Sequence, residues 1–485
     1  MNYKMMSRFE AWILAVEAAF MVPAFLISLF SDADKATLAF AISIGILAVS
    51  AGLFALASIG ARKNFYAREG LICVSLGWIL LSFFGCLPFW LSGEIPRFID
   101  AFFETVSGFT TTGASVLSDV EILSKGILYW RSFSHWLGGM GVLVFLLAVV
   151  PSGGRGEGFT MHLLRAESPG PDVGKIAPKM RQTAIVLYLV YIGLTVLNFI
   201  FLLFGDMSVF EAVCTALGTA GTGGFGIKND SMASYSPYIQ NVTTVFMLLF
   251  GVNFSCYYLI LLGRVRAVLR DEELRLYIGL LVTSVALIAV NIRGLYETVG
   301  ETVRHAAFQV ATIISTTGFA TADFDLWPAF SKAILMLLMV TGACAGGTAG
   351  GMKLARVMLL FKGLRRNLSK ILHPQKVQAI RVNDKVIDEK VLANTNAYLS
   401  AYVIIIVIST LIISLDNFSM MTNFSAVIAC FNNIGPGFEA VGATCNYGGF
   451  SVLSKLVLIV DMLAGRLEIF PILILFGASR ANKVA

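Results

Sequence analysis

Four times in this chain a short apolar segment runs into a small, uncharged turn that ends in glycine. The turns read Thr111-Thr112-Gly113, Gly221-Thr222-Gly223, Thr316-Thr317-Gly318 and Asn433-Ile434-Gly435. An aromatic residue leads each preceding segment: Phe103, Phe210, Phe308 and Phe424. The first segment covers roughly Phe98 to Ser107. Ten residues are too few to cross a bilayer, which takes about 20, but enough to enter halfway, turn and return. Irregular backbone at that depth is tolerated only where protein buries it or water wets it. One such turn is an ordinary helix cap. Four, spaced by about 95 to 117 residues, make an internal repeat, which has to be recognised before any fold is chosen.

The runs between the turns are long enough to span a membrane. They cover about 9–30, 36–60, 70–92, 126–150, 181–205, 237–262, 273–292, 329–361, 394–416 and 452–477. Only SDADK joins the first two; the other eight form four pairs, each enclosing one turn. Charged residues make up 14% of the chain, against about 25% in soluble proteins. The expected fold is an all-α polytopic membrane protein of ten transmembrane helices and four re-entrant loops. It divides into an N-terminal helix pair (1–66) and four helix–loop–helix repeats (67–160, 161–268, 269–390 and 391–485) around a central pore. The first run ends without a small-residue cleavage pattern and reads as a retained membrane helix. The seven cysteines (73, 86, 214, 256, 344, 430, 445) include no CxxC pair, and most lie in apolar runs, so no disulfide framework is expected.

Charge placement gives the topology. The connections at 61–69, 151–181, 263–275 and 353–391 hold 3, 5, 4 and 10 Lys or Arg; those at 93–125, 205–236, 293–331 and 416–455 hold 2, 1, 2 and 1. The positive-inside rule puts the basic set and both termini in the cytoplasm, so the turns enter from outside. The net charge of +6 follows this topology and does not indicate nucleic acid. The outer connections carry Glu94, Asp100, Glu104, Asp206, Glu211, Asp323, Asp325 and Glu439, which read either as a cation-concentrating mouth or as solvated surface. The stretch from Gly363 to Lys390 reads as a basic cytoplasmic loop, facing anionic lipid or a partner or simply following topology.

Four like units around an axis would bring four turns together, each at the partially negative C-terminal end of a short helix. A ring of backbone carbonyls can replace the water around a permeating cation. Close approach of four backbones leaves no room for side chains, and filter dihedrals favour glycine.

These residues resemble the Trk/Ktr/HKT superfamily of potassium transporters, and within it the TrkH family of bacterial membrane subunits. The resemblance covers nearly the whole chain and rests on SGFTTTGAS, GTGGFG, STTGFATADF, NNIGPGF, GACAGGTAGGMKLARV and GRLEIFP. It implies potassium uptake across the bacterial inner membrane, with K+ held at Thr111, Thr112, Gly113, Gly221, Thr222, Gly223, Gly224, Thr316, Thr317, Gly318, Asn433, Ile434 and Gly435. The selectivity glycines it implies are Gly113, Gly223, Gly318 and Gly435. Gly224 is the alternative in the second turn; Gly223 is chosen because it puts Thr222 in register with Thr112 and Thr317. Glycine rather than serine at 113 implies potassium selectivity. The resemblance also implies a homodimer with one pore per protomer, controlled by a cytoplasmic ring of TrkA-like nucleotide-binding subunits. This chain carries no Walker A motif or dinucleotide fingerprint, so nucleotide control falls to such a partner.

The eighth run is interrupted by Gly342, Gly346, Gly347, Thr348, Gly350 and Gly351. Five glycines in ten residues cost about 1 kcal/mol each in a helix, so the helix breaks there. The break reads as close packing of small residues or as a flexible loop below the filter; the family has a gating loop at this place. Arg466 lies within the last run. It reads as one half of an ion pair with Glu468 or Asp461, or, by resemblance, as a pore-facing barrier acting with the loop. Lys353 is expected to snorkel to the inner interface, His135 and Trp136 to serve packing or interface roles, and Glu17 to meet another polar helix face.

Two other classes compete. A proton- or sodium-coupled secondary potassium transporter with alternating access also uses broken helices, but with inverted repeats, whereas all four turns here enter from one side. A membrane enzyme needs a nucleophile–base or metal constellation. The four histidines (135, 162, 305, 373) are scattered, and neither HExxH nor GxSxG occurs.

Overall fold

A computed structural model describes residues 2–31, 35–61, 67–141, 180–375 and 378–477. The basic connection at 151–181, His162, the second half of the fourth run and the end of the chain lie largely or wholly outside the described residues.

The described residues form helices and one small hairpin. Helices α1 (Tyr3–Ser31) and α2 (Lys35–Ala57) pack as an antiparallel pair. The first repeat contains α3 (Ala67–Gly85), α4 (Leu87–Leu91), the short α5 (Phe98–Phe109) and α6 (Lys125–Met140). The second contains α7 (Met180–Leu203), the short α8 (Val209–Gly221), α9 (Pro237–Gly251), α10 (Phe254–Leu261) and α11 (Val265–Leu269). The third contains α12 (Glu272–Asn291), the short α13 (Val299–Ile314), α14 (Ala329–Val340) and α15 (Leu354–Leu372). Strands β1 (Arg381–Val382) and β2 (Lys385–Val386) form the hairpin. The fourth repeat contains α16 (Glu389–Ile413), the short α17 (Met420–Phe431), α18 (Val452–Arg466) and α19 (Phe470–Gly477).

Local chemistry sets the starts of these helices. Three of the four short ones open on a hydroxyl cap. Ser208 accepts from Glu211 N–H in a reciprocal capping box, Thr298 from Glu301 and Ser419 from Thr422. Such caps satisfy N–H groups that the helix itself leaves open.

Among the described residues, six helices are long and apolar enough to cross a membrane: α1, α2, the α3–α4 unit, α7, α12 and α16. The sixth expected run is bent. Helices α9 and α10 meet at 91°, where Gly251 ends one and Asn253 caps the other. The eighth run is broken between α14 and α15. Its second half continues to Leu372, so Gly363 to Leu372, read above as loop, is helix. The basic stretch then folds into the hairpin, where Ile380 packs with Leu359 and Leu392.

The repeats close into a circle. The helix after each short helix packs on the short helix of the next repeat: α6 on α8, α9 on α13, α14 on α17, and α18 back on α5. Helix α19 completes the circle by packing on α3.

Candidate ion-conduction site

The four short helices end in one conformation. Thr111, Thr222, Thr316 and Asn433 are all left-handed, with φ of 56°, 52°, 54° and 55°. Each donates its N–H three residues back, to Gly108, Thr219, Ile313 and Cys430, at 3.1–3.2 Å. The next residues, Thr112, Gly223, Thr317 and Ile434, donate five residues back, to Ser107, Gly218, Thr312 and Ala429, at 2.8–3.0 Å. Then comes a glycine of positive φ: Gly113 (79°), Gly224 (76°), Gly318 (90°) and Gly435 (93°).

This pattern corrects one reading of the sequence. Thr222 is in register with Thr111, not Thr112. Gly224, not Gly223, matches Gly113, Gly318 and Gly435. Hydroxyl identity suggested one alignment; the hydrogen bonds that stop the helix dictate another, one residue along.

The glycines also show how the loops meet. A Cβ on Gly113 would overlap the carbonyl oxygen of Gly223. One on Gly224 would overlap that of Thr317, one on Gly318 that of Ile434, and one on Gly435 that of Thr112. The chain of contacts runs 1, 2, 3, 4 and back to 1. Four backbone carbonyls and four glycines thus form a closed ring, at positions where an L residue is both strained and crowded. Four non-glycine residues in the left-handed region, at about 1–2 kcal/mol each, mark strain concentrated at one place, as at functional sites.

The broken segment, 341–353, lies against this ring. Gly350 N–H donates to Thr316 Oγ1 at 2.7 Å, and a Cβ on Gly350 would press on Asn433. The bend between α9 and α10 cradles the segment: Cys344 N–H donates to Gly251 O at 3.1 Å, Thr348 N–H to Phe250 O at 3.2 Å, and Phe254 N–H to Gly346 O at 3.1 Å. Glu273 Oε1 accepts from Ala345 N–H at 2.7 Å and Ala355 N–H at 3.0 Å, so one carboxylate fastens both ends. Gly346 and Gly351 have positive φ, and a Cβ on Gly342 would overlap the Gly350 carbonyl oxygen.

Arg466 joins the two layers. Its guanidinium donates to Thr348 O at 2.9 Å, Gly139 O at 2.7 Å, Gly138 O and, at 3.4 Å, Thr111 Oγ1. Glu468 instead pairs with Arg356, and Asp461 accepts from Ser409 at 2.8 Å. Lys353 does not snorkel. It is 1% exposed and donates to the carbonyls of Ala349 and Gly350.

Glu104 is buried and belongs to no mouth. It pairs with Arg131 at 2.6 Å and accepts from Ser115 Oγ and Val116 N–H, fixing the extended segment that leaves the first turn. Asp100 pairs with Lys455 at 2.6 Å, and Glu94 accepts from Ser124. Asp325 accepts from Glu439 N–H at 2.7 Å. Glu17 is fully buried, and neither of its oxygens has a hydrogen-bond partner among the described residues. Cys73, Cys86, Cys214, Cys256, Cys344 and Cys430 are buried and form no disulfide; Cys445 is free and exposed.

Two contributors carry no expectation from the sequence, Glu273 and the Gly251–Asn253 bend; Lys353 and His135 are expected at an interface or in packing, and His135 lies directly behind the ring. The bend had a signal in its Gly-Val-Asn, a helix-ending glycine followed by a helix-capping residue inside an apolar run. Glu273 had none, because its partners are backbone N–H groups about 72 and 82 residues away.

Similarity to known proteins agrees with this geometry. The sequence model of the TrkH family, described as a cation transport protein, matches residues 38–483. The Trk system potassium uptake protein TrkH of Salmonella typhimurium is 36% identical over 417 residues, covering 84% of this chain and 85% of that protein. TrkH of Halomonas elongata is 34% identical over 482 residues, 98% of each chain. The crystal structure of the potassium transporter TrkH from Vibrio parahaemolyticus superposes with a TM-score of 0.87 at 30% identity, covering 98% of both chains. On sequence and on fold alike, the chain belongs to the TrkH family.

Proposed function

We propose that this chain carries potassium into the cell through a selective pore at the centre of the four repeats. The observation that carries the reading is the closed ring. Carbonyls of Thr112, Gly223, Thr317 and Ile434 alternate with glycines that admit no side chain. Such carbonyls replace the hydration shell of a permeating cation, and the short helices direct their negative ends at the same point. The filter then comprises Thr111–Gly113, Thr222–Gly224, Thr316–Gly318 and Asn433–Gly435. Gly221 stands outside the ring as the last residue of α8.

The broken segment is the gate in this reading, with Gly342, Gly346, Gly347, Thr348, Gly350 and Gly351 forming its backbone. Arg466 places a positive charge beneath the filter, with the Lys353 amine beside the same segment, and opposes cations there. The chain sits in the bacterial inner membrane with both termini cytoplasmic, as a homodimer with cytoplasmic nucleotide-binding subunits of the TrkA type. The similarity to Trk potassium uptake proteins supports these assignments.

The test is Rb+ uptake into proteoliposomes holding this chain, with and without residues Ala345 to Ala349, against an outward K+ gradient. Uptake blocked by external K+ and not by Na+ supports the pore. A folded deletion variant that carries no Rb+, even with the partner present, refutes it.

A further inference from the structure

The four loops share a backbone but differ in one side chain. The residue before the positive-φ glycine points behind the ring, and in three loops it fills that space itself. Thr112, Thr317 and Ile434 are all buried. Thr112 Oγ1 lies 2.8 Å from Thr110 Oγ1 and accepts from Asn433 Nδ2 at 2.9 Å. Thr317 Oγ1 lies 2.7 Å from Ser315 Oγ. In the second loop this residue is Gly223.

Backbone conformation does not call for glycine there, because Gly223 lies outside the left-handed region. A neighbour calls for it. A Cβ on Gly223 would fall on Cγ, Nδ1 and Cδ2 of the His135 ring. His135 belongs to α6, in the first repeat, and is fully buried. Its Nδ1 lies 2.8 Å from the carbonyl oxygen of Gly108, in the first short helix. On the other side, Phe225 N–H donates to its Nε2 at 3.2 Å. An amide N–H can only donate, so Nε2 is the acceptor and Nδ1 carries the proton given to Gly108. The ring therefore spans from the first short helix to the backbone just beyond Gly224. The Phe225 ring leans on it, with centroids 4.2 Å apart.

We infer that His135 is the side chain the second loop lacks: a positioning residue that sets the Gly223 carbonyl in the filter by filling the space behind it and tying loop two to loop one. The inference rests on the proposed role of the ring. Without the imidazole, the space behind Gly223 is empty and Phe225 N–H loses its acceptor, which a buried donor tolerates poorly. A carbonyl freed in this way tunes poorly to one ion size.

The experiment reads K+ and Na+ binding to the purified full-length chain by ion-dependent thermal stabilisation, which reports affinity without requiring an open gate. Expected are a K+ preference in the unmodified protein and a loss of about tenfold in that preference in His135→Ala. Gly223→Thr forces a side chain onto the ring and lowers the preference similarly. Combining His135→Ala with Gly223→Thr lets the threonine fill the vacated space, as in loops one and three, and returns the preference to within about threefold of the unmodified chain. His135→Asn, which keeps a donor and an acceptor, retains most of it.

An unchanged preference in His135→Ala overturns the inference, and so does a double variant worse than both single ones. Should either single variant fail to fold, recovery of folded, K+-preferring protein in the double variant supports the pairing, and no recovery contradicts it. Gly113→Ser separates the two claims. If it abolishes the preference while His135→Ala does not, the filter stands and the role of His135 falls. If neither changes it, the filter reading falls.

Discussion

The ring and the segment beneath it are both irregular, glycine-rich backbone, held in opposite ways. Each turn of the ring is braced by its own short helix, through N–H bonds three and five residues back. The segment 341–353 borrows most of its partners. They come from the α9–α10 bend, from Glu273 on α12, from Thr316 in the ring and from Arg466 on α18. Self-braced backbone keeps its shape when a neighbour shifts. Borrowed contacts can be released together by moving one helix, and regions that move are drawn from the less stable parts of a fold. On the proposed reading, the ring is a rigid selector and the segment a releasable obstruction, the division a gated pore requires.

That contrast can be broken from either side. The largest effect is expected on deleting Ala345 to Ala349, which should raise Rb+ flux in the absence of a partner roughly tenfold or more while leaving the K+ over Na+ ranking intact. Gly113→Ser should do the converse. A side chain at φ 79° against the Gly223 carbonyl should cut K+/Na+ discrimination about tenfold, the equivalent of about 1.4 kcal/mol, with total flux less affected. Arg466→Gln removes a charge bonded to both layers and should raise partner-free flux by about three- to tenfold, within the range of a lost charge-assisted hydrogen bond. The smallest change is expected for Glu273→Gln. Its amide oxygen still accepts from Ala345 and Ala355, but more weakly, so flux should rise about threefold or less with selectivity unchanged. Each is read by Rb+ uptake with K+ or Na+ competition. A gate variant that altered ion ranking, or a ring variant that altered only flux, would erase the distinction.

Much of this was legible in the chain. Apolar runs separated by basic and non-basic connections give the helical membrane class, and four glycine-ended turns after short helices give the repeat. Glycine density alone locates the break at 342–351. The register of the second turn was not legible, because GTGG offers two glycines and the deciding bonds are made by backbone N–H groups, which carry no sequence signature. Lys353 was misplaced for a related reason. A lysine at the end of an apolar run normally reaches for water, but here carbonyls freed by the broken helix face inward and hold it. Glu104 and Asp100 looked like surface acids because their partners, Arg131 and Lys455, lie about 27 and 355 residues away. Circular closure, with α18 packing on α5, makes the longest of those pairings local in space.

The most direct measurement is the bi-ionic K+/Na+ reversal potential of the Ala345–Ala349 deletion variant in planar bilayers, taken with and without Gly113→Ser. The account requires a K+-selective potential in the deletion variant and a shift toward zero once serine enters the ring. Equal permeability to both ions with Gly113 intact, or a potential indifferent to serine at that position, would contradict it.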